Sequence, residues 1–474
     1  MLTDSVQKNQ MTGSTRVGMV MATIRQRIAA RSLTVGSRLP SIRQLAATLK
    51  VSTSTVVEAY ERLVAEGSIH SRPGSGFYVA GPTAPLSLSD IGPKLDRAVD
   101  PFWVSRQSLE AGDDELMPGC GWLPPSWLPE EGVRKALRAL SRADGPALVD
   151  YGSPMGLPPL RQLIARRMAE RGIEASPDQI MLTESATQTL DLLCRMLLEP
   201  GDTVLIDDPC YFNFRALLRA HRAKIVSVAY TPLGPDIEQF GAVLAEHRPR
   251  LYITNSAIHN PTGATLSPVV AHRVLKLADQ FALTIVEDDV FADFEQTPAP
   301  RLAAFDGLDR VIHIGGFSKT LSASARCGFV AARPDWIENL IDLKIATSFG
   351  GGRLTAELVL AVLSDGGHRK HVEGLCHRLA QARAQVTARL ETMGVVPWLE
   401  PQAGMFLWCR LPDDVDAANV ARAALVRKVV LAPGNVFSPS QSATNYMRFN
   451  VSQTIDERVF GVLREALAEA GHPG

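Results

Sequence analysis

Apolar positions along the first eighty residues follow two spacings in turn. From Val17 to Ala30 they fall on one side, with Arg25, Arg27 and Arg31 opposite, which predicts an amphipathic helix. Gly36 interrupts that pattern. Pro40-Ser41 reads as a second helix start, followed by Ile42, Leu45 and Leu49 at i, i+3 and i+7. Lys50-Val51 is a short link, and Ser52 is an N-cap candidate for a third helix, with Val56, Tyr60 and Leu63 on one face. After Gly67, the stretch Ile69 to Val79 reads as a two-stranded hairpin around a glycine-rich tip.

From about residue 116 the pattern becomes an alternation of helical stretches with short apolar runs. Thr203–Ile206, Leu251–Ile253, Leu283–Val286 and Val311–Ile314 are the clearest runs, and they predict an α/β fold with a mostly parallel sheet covered by helices. The expected division is residues 1–80, a linker at 81–115, and 116–474. The linker holds Pro82, Pro85, Gly92, Pro93 and Pro101, as a tether does. Its weak helical pattern from Leu95 to Leu109, with Phe102 and Trp103, predicts that part of it packs on a domain.

Each run is followed by polar residues. These are Asp207-Asp208-Pro209-Cys210-Tyr211, His259-Asn260-Pro261-Thr262-Gly263, Glu287-Asp288-Asp289 and Gly315-Gly316-Phe317-Ser318-Lys319. Carboxyl ends of parallel strands are where such folds hold ligands. A lysine, an asparagine, carboxylates and an aromatic at that edge form a candidate cofactor site. Taken singly, each has a plainer reading as a surface lysine, a loop cap or a turn.

Charge changes the picture at one end only. The chain carries a formal net charge of −1, but residues 1–80 are net positive and the remainder net negative. A basic end on an acidic body points to an anionic partner for that end. Small hydroxyl side chains at the start of the third helix, Thr53 to Thr55, suit approach to a DNA major groove, and Arg72 in the hairpin suits a phosphate. Six scattered cysteines with no C-x-x-C pair argue for reduced thiols in a cytoplasmic protein and against a zinc site. No apolar run reaches the ~20 residues of a membrane helix.

The strings Arg38 to Ala46, Val51 to Val56 and Ser71 to Gly76 together resemble the GntR-type winged helix-turn-helix. The resemblance implies contact with double-stranded DNA by Arg43, by Ser52, Thr53, Ser54 and Thr55, and by the wing, Arg72 and Gly74. Thr53 stands where many relatives carry arginine, which implies weaker affinity or a different base read.

From about 118 onward the residues resemble fold-type I pyridoxal-phosphate enzymes of the aminotransferase class I/II group. With the winged helix in front, the chain resembles the MocR subfamily of GntR regulators. The resemblance implies pyridoxal 5′-phosphate as cofactor, carried by Lys319 in Gly-Phe-Ser-Lys-Thr-Leu, with Ser318 beside it. It implies Asp288 as partner of the pyridine nitrogen, Asn260 at the ring O3′, and Tyr211 stacked on the ring. The phosphate falls to Ser185, Ala186 and Thr187 at a helix start and to Arg326. Tyr151 would reach the phosphate of a neighbouring subunit, which requires a homodimer. Arg448 would bind the α-carboxylate of an amino acid. The sequence departs from the pattern at Val290 and Phe291, where a tyrosine is common, and at Gly316, where relatives have Ser or Thr.

Three functions follow. The complete winged helix favours a transcription regulator that senses the cofactor or an amino acid. The nearly complete constellation around Lys319 favours an aminotransferase. A sensor of pyridoxal phosphate alone would have no use for Arg448.

Overall fold

Three side-chain caps start the helices of the N-terminal unit. Thr15, Ser41 and Ser52 accept hydrogen bonds from the N–H groups of Gly18, Gln44 and Thr55. They begin α1 (Arg16–Ala29), α2 (Ile42–Leu49) and α3 (Thr53–Ala65). Each bond satisfies an amide that a first helical turn leaves unpaired, which stabilises by about 1 kcal/mol. Val20, Ile24, Leu45, Val56, Tyr60 and Leu63 converge in one buried core. The Tyr60 hydroxyl donates to Pro40 O at 2.8 Å and so ties α3 to the start of α2. β1 (Ile69–Arg72) and β2 (Gly76–Val79) pair antiparallel, with Ile69 opposite Val79, and close the core from the side.

The computed structural model describes residues 15–81, 108–110, 112, 114–143, 145–412 and 415–471. They fall into two compact units, one of residues 15–81 and one from 108 onward. Phe102, Trp103 and most of the expected linker helix lie outside the described residues.

The larger unit is built on an eight-stranded sheet of order β3-β10-β9-β8-β7-β4-β5-β6. The strands are β3 (Ile180–Thr183), β4 (Thr203–Asp208), β5 (Lys224–Thr231), β6 (Gly234–Pro235), β7 (Leu251–Thr254), β8 (Thr284–Asp288), β9 (Val311–Gly316) and β10 (Gly328–Ala331). β9, β8, β7, β4 and β5 are parallel neighbours; β10 runs antiparallel to both β9 and β3, and β6 antiparallel to β5. Alternate residues enter two cores. Val204, Ile206, Ile253, Val286 and Ile312 pack on one face, and Leu205, Tyr252, Ile285 and Val311 on the other. Burial on both faces is why these strands read as continuous apolar runs.

Pairing carries the strands past the apolar runs. β4 extends through Asp208, β8 through Asp288 and β9 through Gly316, so the first polar residues of three motifs are themselves strand residues. The chain leaves β4 for β5 on one side and returns to β7 on the other, which makes the β4–β7 boundary a topological switch point.

A four-stranded antiparallel sheet, β11-β12-β14-β13, follows, made of β11 (Val396–Pro397), β12 (Phe406–Arg410), β13 (Ala432–Pro433) and β14 (Tyr446–Asn450). The helices at 366–391, 417–426 and 457–470 contribute to its core. Leu116 and Gly119 hydrogen-bond to Lys428 and Val430, and Lys428 forms an ion pair with Asp114, which binds the start of this unit to its C-terminal sheet. All six cysteines are free and buried. Among the described residues no helix is long and apolar enough to cross a membrane.

Candidate functional site

At the carboxyl ends of the parallel strands lies a cavity of about 340 Å³. Ten residues singled out from the sequence line it: Ser185, Ala186, Thr187, Tyr211, Asn260, Asp288, Ser318, Lys319, Arg326 and Arg448. Nine of them come from the loops, strand ends and helix start at one edge of the eight-stranded sheet, and Arg448, 263 positions after Ser185, reaches them from β14 of the second sheet.

Asp288 ends β8, is buried, and accepts a hydrogen bond from the Val290 N–H at 3.2 Å. Burial first, and then the neighbouring Asp289 carboxylate, push it up to about 6. Asp289 is itself bound by the fully buried Arg301, which also holds Glu295. Lys319 lies in the loop after β9, and its ammonium donates to Gly121 O at 2.7 Å. Burial and then the Arg448 guanidinium lower it to about 8. The next residue fixes that loop, because the Thr320 hydroxyl donates to Asp293 at 2.8 Å. Asp293 in turn accepts from Arg167 at 2.6 Å and from Arg171 at 2.9 Å.

Arg448 stands on β14 with its guanidinium carbon 4.3 Å from the centre of the Phe406 ring and 4.7 Å from that of Phe437. It donates to Asn260 Oδ1 at 2.9 Å and to Gly119 O at 2.7 Å, and burial lowers it to about 10. Asn260 thus spends its carbonyl oxygen on Arg448. Burial raises the Tyr211 phenol above its ordinary range, keeping it neutral.

Ser185 caps the helix Ala186–Leu197 by accepting from Gln188 N at 3.0 Å. The amides of that first turn face the cavity end of the helix, the usual seat of an anion. β10 passes close by: a Cβ on Gly328 would stand 2.8 Å from Ser185 C, so glycine permits the approach. Arg326, at φ +31°, reaches the same wall and has no carboxylate partner among the described residues. Tyr151 is placed elsewhere. It is 76% exposed, does not line the cavity, and rests against the exposed Phe349 ring at 5.1 Å.

Four contributors escaped the sequence reading. Asn255, just past β7, donates to Asp288 O at 2.9 Å, and its own Oδ1 is buried with no partner among the described residues. The strand-end rule that marked Asn260 applies equally to it. Gly119 to Trp122 form one wall, and a Cβ on Gly119 would stand 2.6 Å from Ala432 N. Asn450 holds that wall by donating to Trp122 O at 2.7 Å and Cys120 O at 3.2 Å. Ser108 and Leu109 complete it. The Gly119–Trp122 wall and Asn450 carry no local signal, because only contacts across the fold bring them in, whereas Leu109 ends the helical pattern that was expected to pack on a domain.

In the N-terminal unit the Ser52 hydroxyl is held internally by Thr55 N, by Ser54 Oγ at 2.8 Å and by Thr55 Oγ1 at 2.7 Å. It is a cap. Thr53 is exposed beside it, its hydroxyl without a hydrogen-bond partner among the described residues. Arg25 and Arg62 are paired with Glu66 and Glu58, while the exposed Arg43 and Arg72 have no carboxylate partner among the described residues. Arg72 lies 4.6 Å over the Tyr78 ring, beside the tip at Gly74.

Two family models match the chain. The family model of bacterial regulatory proteins of the gntR family matches residues 16–79, and that of aminotransferase class I and II matches residues 127–466. The HTH-type transcriptional regulator YdcR of Escherichia coli is 31% identical, over 92% of this chain and 94% of its own. NorG, an HTH-type transcriptional regulator of Staphylococcus aureus, is 25% identical, over 86% of this chain and 94% of its own. Among solved structures, the α-aminoadipate aminotransferase LysN of Thermus thermophilus, complexed with N-(5′-phosphopyridoxyl)-L-leucine, aligns with TM-score 0.70 at 25% identity. That alignment covers 81% of this chain and 99% of LysN. The chain therefore belongs to the aminotransferase class I and II family and carries ahead of it the winged helix-turn-helix of the gntR regulators, the architecture of the MocR type.

Proposed function

We propose that this DNA-binding regulator holds pyridoxal phosphate in the cavity around Lys319, and that an amino acid taken up beside it biases the winged helix between two DNA-binding states. The observation that carries the reading is the convergence of Lys319, Asp288, Asn260, Tyr211, the Ser185 helix start and Arg448 on one cavity. Their chemistry fits the cofactor. The Ala186 and Thr187 amides, left over by the Ser185 cap on Gln188, and Arg326, without a carboxylate partner among the described residues, suit a phosphate dianion. The buried Asp288 suits a pyridinium, and the lowered Lys319 amine suits an aldehyde. The orphaned Asn255 Oδ1 adds an unused acceptor on the same wall.

When bound, pyridoxal phosphate supplies an electron sink for a bond at the amino acid's α-carbon. The chain's own residues do the rest. Asp288 would hold a proton on the ring nitrogen, Tyr211 would pack against the ring, and Asn260, its carbonyl taken by Arg448, would have its amide nitrogen left for the ring oxygen. Lys319 accepts or returns a proton at its Nζ. Arg448 takes the carboxylate, pre-oriented by Asn260 and Gly119 O. Tyr151, exposed and outside its own cavity, fits a role across a homodimer.

Catalysis is the second reading, favoured by the lowered Lys319 amine, which can shuttle a proton near neutral pH. Val290 and Phe291 offer no hydroxyl beside Asp288, which favours sensing over turnover. The test loads the full-length protein with pyridoxal phosphate, adds amino acids singly, then adds a 2-oxo acid. A visible absorbance band that shifts and stays, together with altered DNA affinity, supports the sensor. A band that bleaches and returns with the oxo acid through repeated cycles establishes an aminotransferase instead. A band indifferent to every amino acid removes the effector.

A further inference from the structure

Besides the cofactor's expected partners, the cavity wall holds Ser108, Leu109, Cys120, Trp122, Phe212 and Asn213, none of which carries a formal charge; burial keeps the Cys120 thiol protonated. The charged residues on the wall are Asp288, Lys319, Arg326 and Arg448, and the proposed function commits each one: to the ring nitrogen, the aldehyde, the phosphate and the α-carboxylate. Among the described residues of the wall, no cation is left for a second carboxylate and no carboxylate for a second ammonium. A charge buried without a partner is strongly disfavoured, whereas apolar surface is favoured there.

We propose that the amino acid taken up here has a neutral side chain of substantial apolar size, lodged against Trp122, Phe212 and Leu109, and that acidic and basic amino acids are rejected. The inference rests on the proposed function and sharpens it. The selecting wall is built in advance. Asn450 pins the backbone of Cys120 and Trp122, and Arg448 holds Gly119 O, so the strand that presents the carboxylate-binding guanidinium also sets the position of Trp122. Trp122 is thereby a specificity-determining residue whose surroundings need little reordering on binding.

The experiment titrates the full-length protein, loaded with pyridoxal phosphate, with L-leucine, L-phenylalanine, L-alanine, L-aspartate and L-lysine. Visible absorbance and thermal shift are read together. The expected order places leucine and phenylalanine at least about tenfold tighter than aspartate and lysine. Trp122→Ala is expected to weaken the large neutral amino acids about tenfold, leave alanine within about twofold, and recover in Trp122→Phe. Tighter binding of aspartate or lysine overturns the specificity while leaving the amino-acid reading intact. A Trp122→Ala protein that weakens alanine as much as leucine overturns the role of Trp122. If no amino acid changes either signal while the cofactor band is present, the amino-acid reading itself falls.

Discussion

Arg448 and Asn260 are joined by a 2.9 Å hydrogen bond in which the guanidinium donates and the amide carbonyl accepts. The bond orients both side chains at once. The guanidinium also lies against the Phe406 and Phe437 rings, and the bond leaves the asparagine's amide nitrogen free of it. Arg448→Ala is expected to keep the cofactor's visible band but to lose amino-acid affinity by roughly a hundredfold, the cost of removing one partner of a buried charged contact. Arg448→Lys should recover little of it, because an ammonium cannot make the two-pronged contact. Titration followed by absorbance and thermal shift checks both, and an Arg448→Ala protein with unchanged response would remove the assigned role.

Lys319 supplies a pH dependence. Its amine is lowered to about 8 by burial and then by Arg448, so it is mostly neutral above that value and mostly charged below. Only the neutral amine attacks an aldehyde. The rate at which the visible band forms on mixing with pyridoxal phosphate should therefore rise with pH and level off above about 8. Lys319→Ala should form no band at any pH. A rate that falls over the same interval would contradict the assignment.

Asp293 ties the lysine loop to the helix that carries Arg167. Burial alone would raise its carboxyl, but Arg167 and Arg171 outweigh burial and hold it down at about 2. A depressed carboxyl stabilises the fold above its unfolded value near 4, and that stabilisation disappears as pH falls through about 2. Arg167→Ala should cost about 2 kcal/mol at neutral pH and move acid unfolding to higher pH. Circular dichroism across an acid titration measures the midpoint; an unmoved midpoint would show that Arg171 alone suffices.

On the winged helix, Arg43 and Arg72 lack carboxylate partners among the described residues, whereas Arg25 and Arg62 have them. Arg43→Ala and Arg72→Ala should each reduce the slope of log affinity against log salt by about 1, while Arg62→Ala leaves it nearly unchanged. Thr53→Arg, which adds a cation at the start of α3, should steepen the slope by about the same amount. Fluorescence anisotropy with a duplex over a salt series reads all four.

The central strands were legible because both their faces are buried, which leaves a continuous apolar run. The motifs after them were legible because parallel strands present their ligand-binding residues in chain order at one edge. The run reading stops short of Asp208, Asp288 and Gly316, where hydrogen bonding rather than apolarity continues the strand. The wall from Gly119 to Trp122 was not legible. Its position depends on Asn450 and Arg448, more than 320 residues away. Ser52 carried two signals at once, and the geometry shows its hydroxyl spent on the cap of α3.

The burial of all six thiols makes the native protein nearly silent to thiol reagents, since a thiolate must form and be reached before it reacts. Among the described residues, Cys120 is the one cysteine on the wall of the Lys319 cavity. Its alkylation rate is therefore an occupancy gauge already written into the chain: slow in the empty protein, slower once the cavity is filled, and readable by mass spectrometry without adding a label.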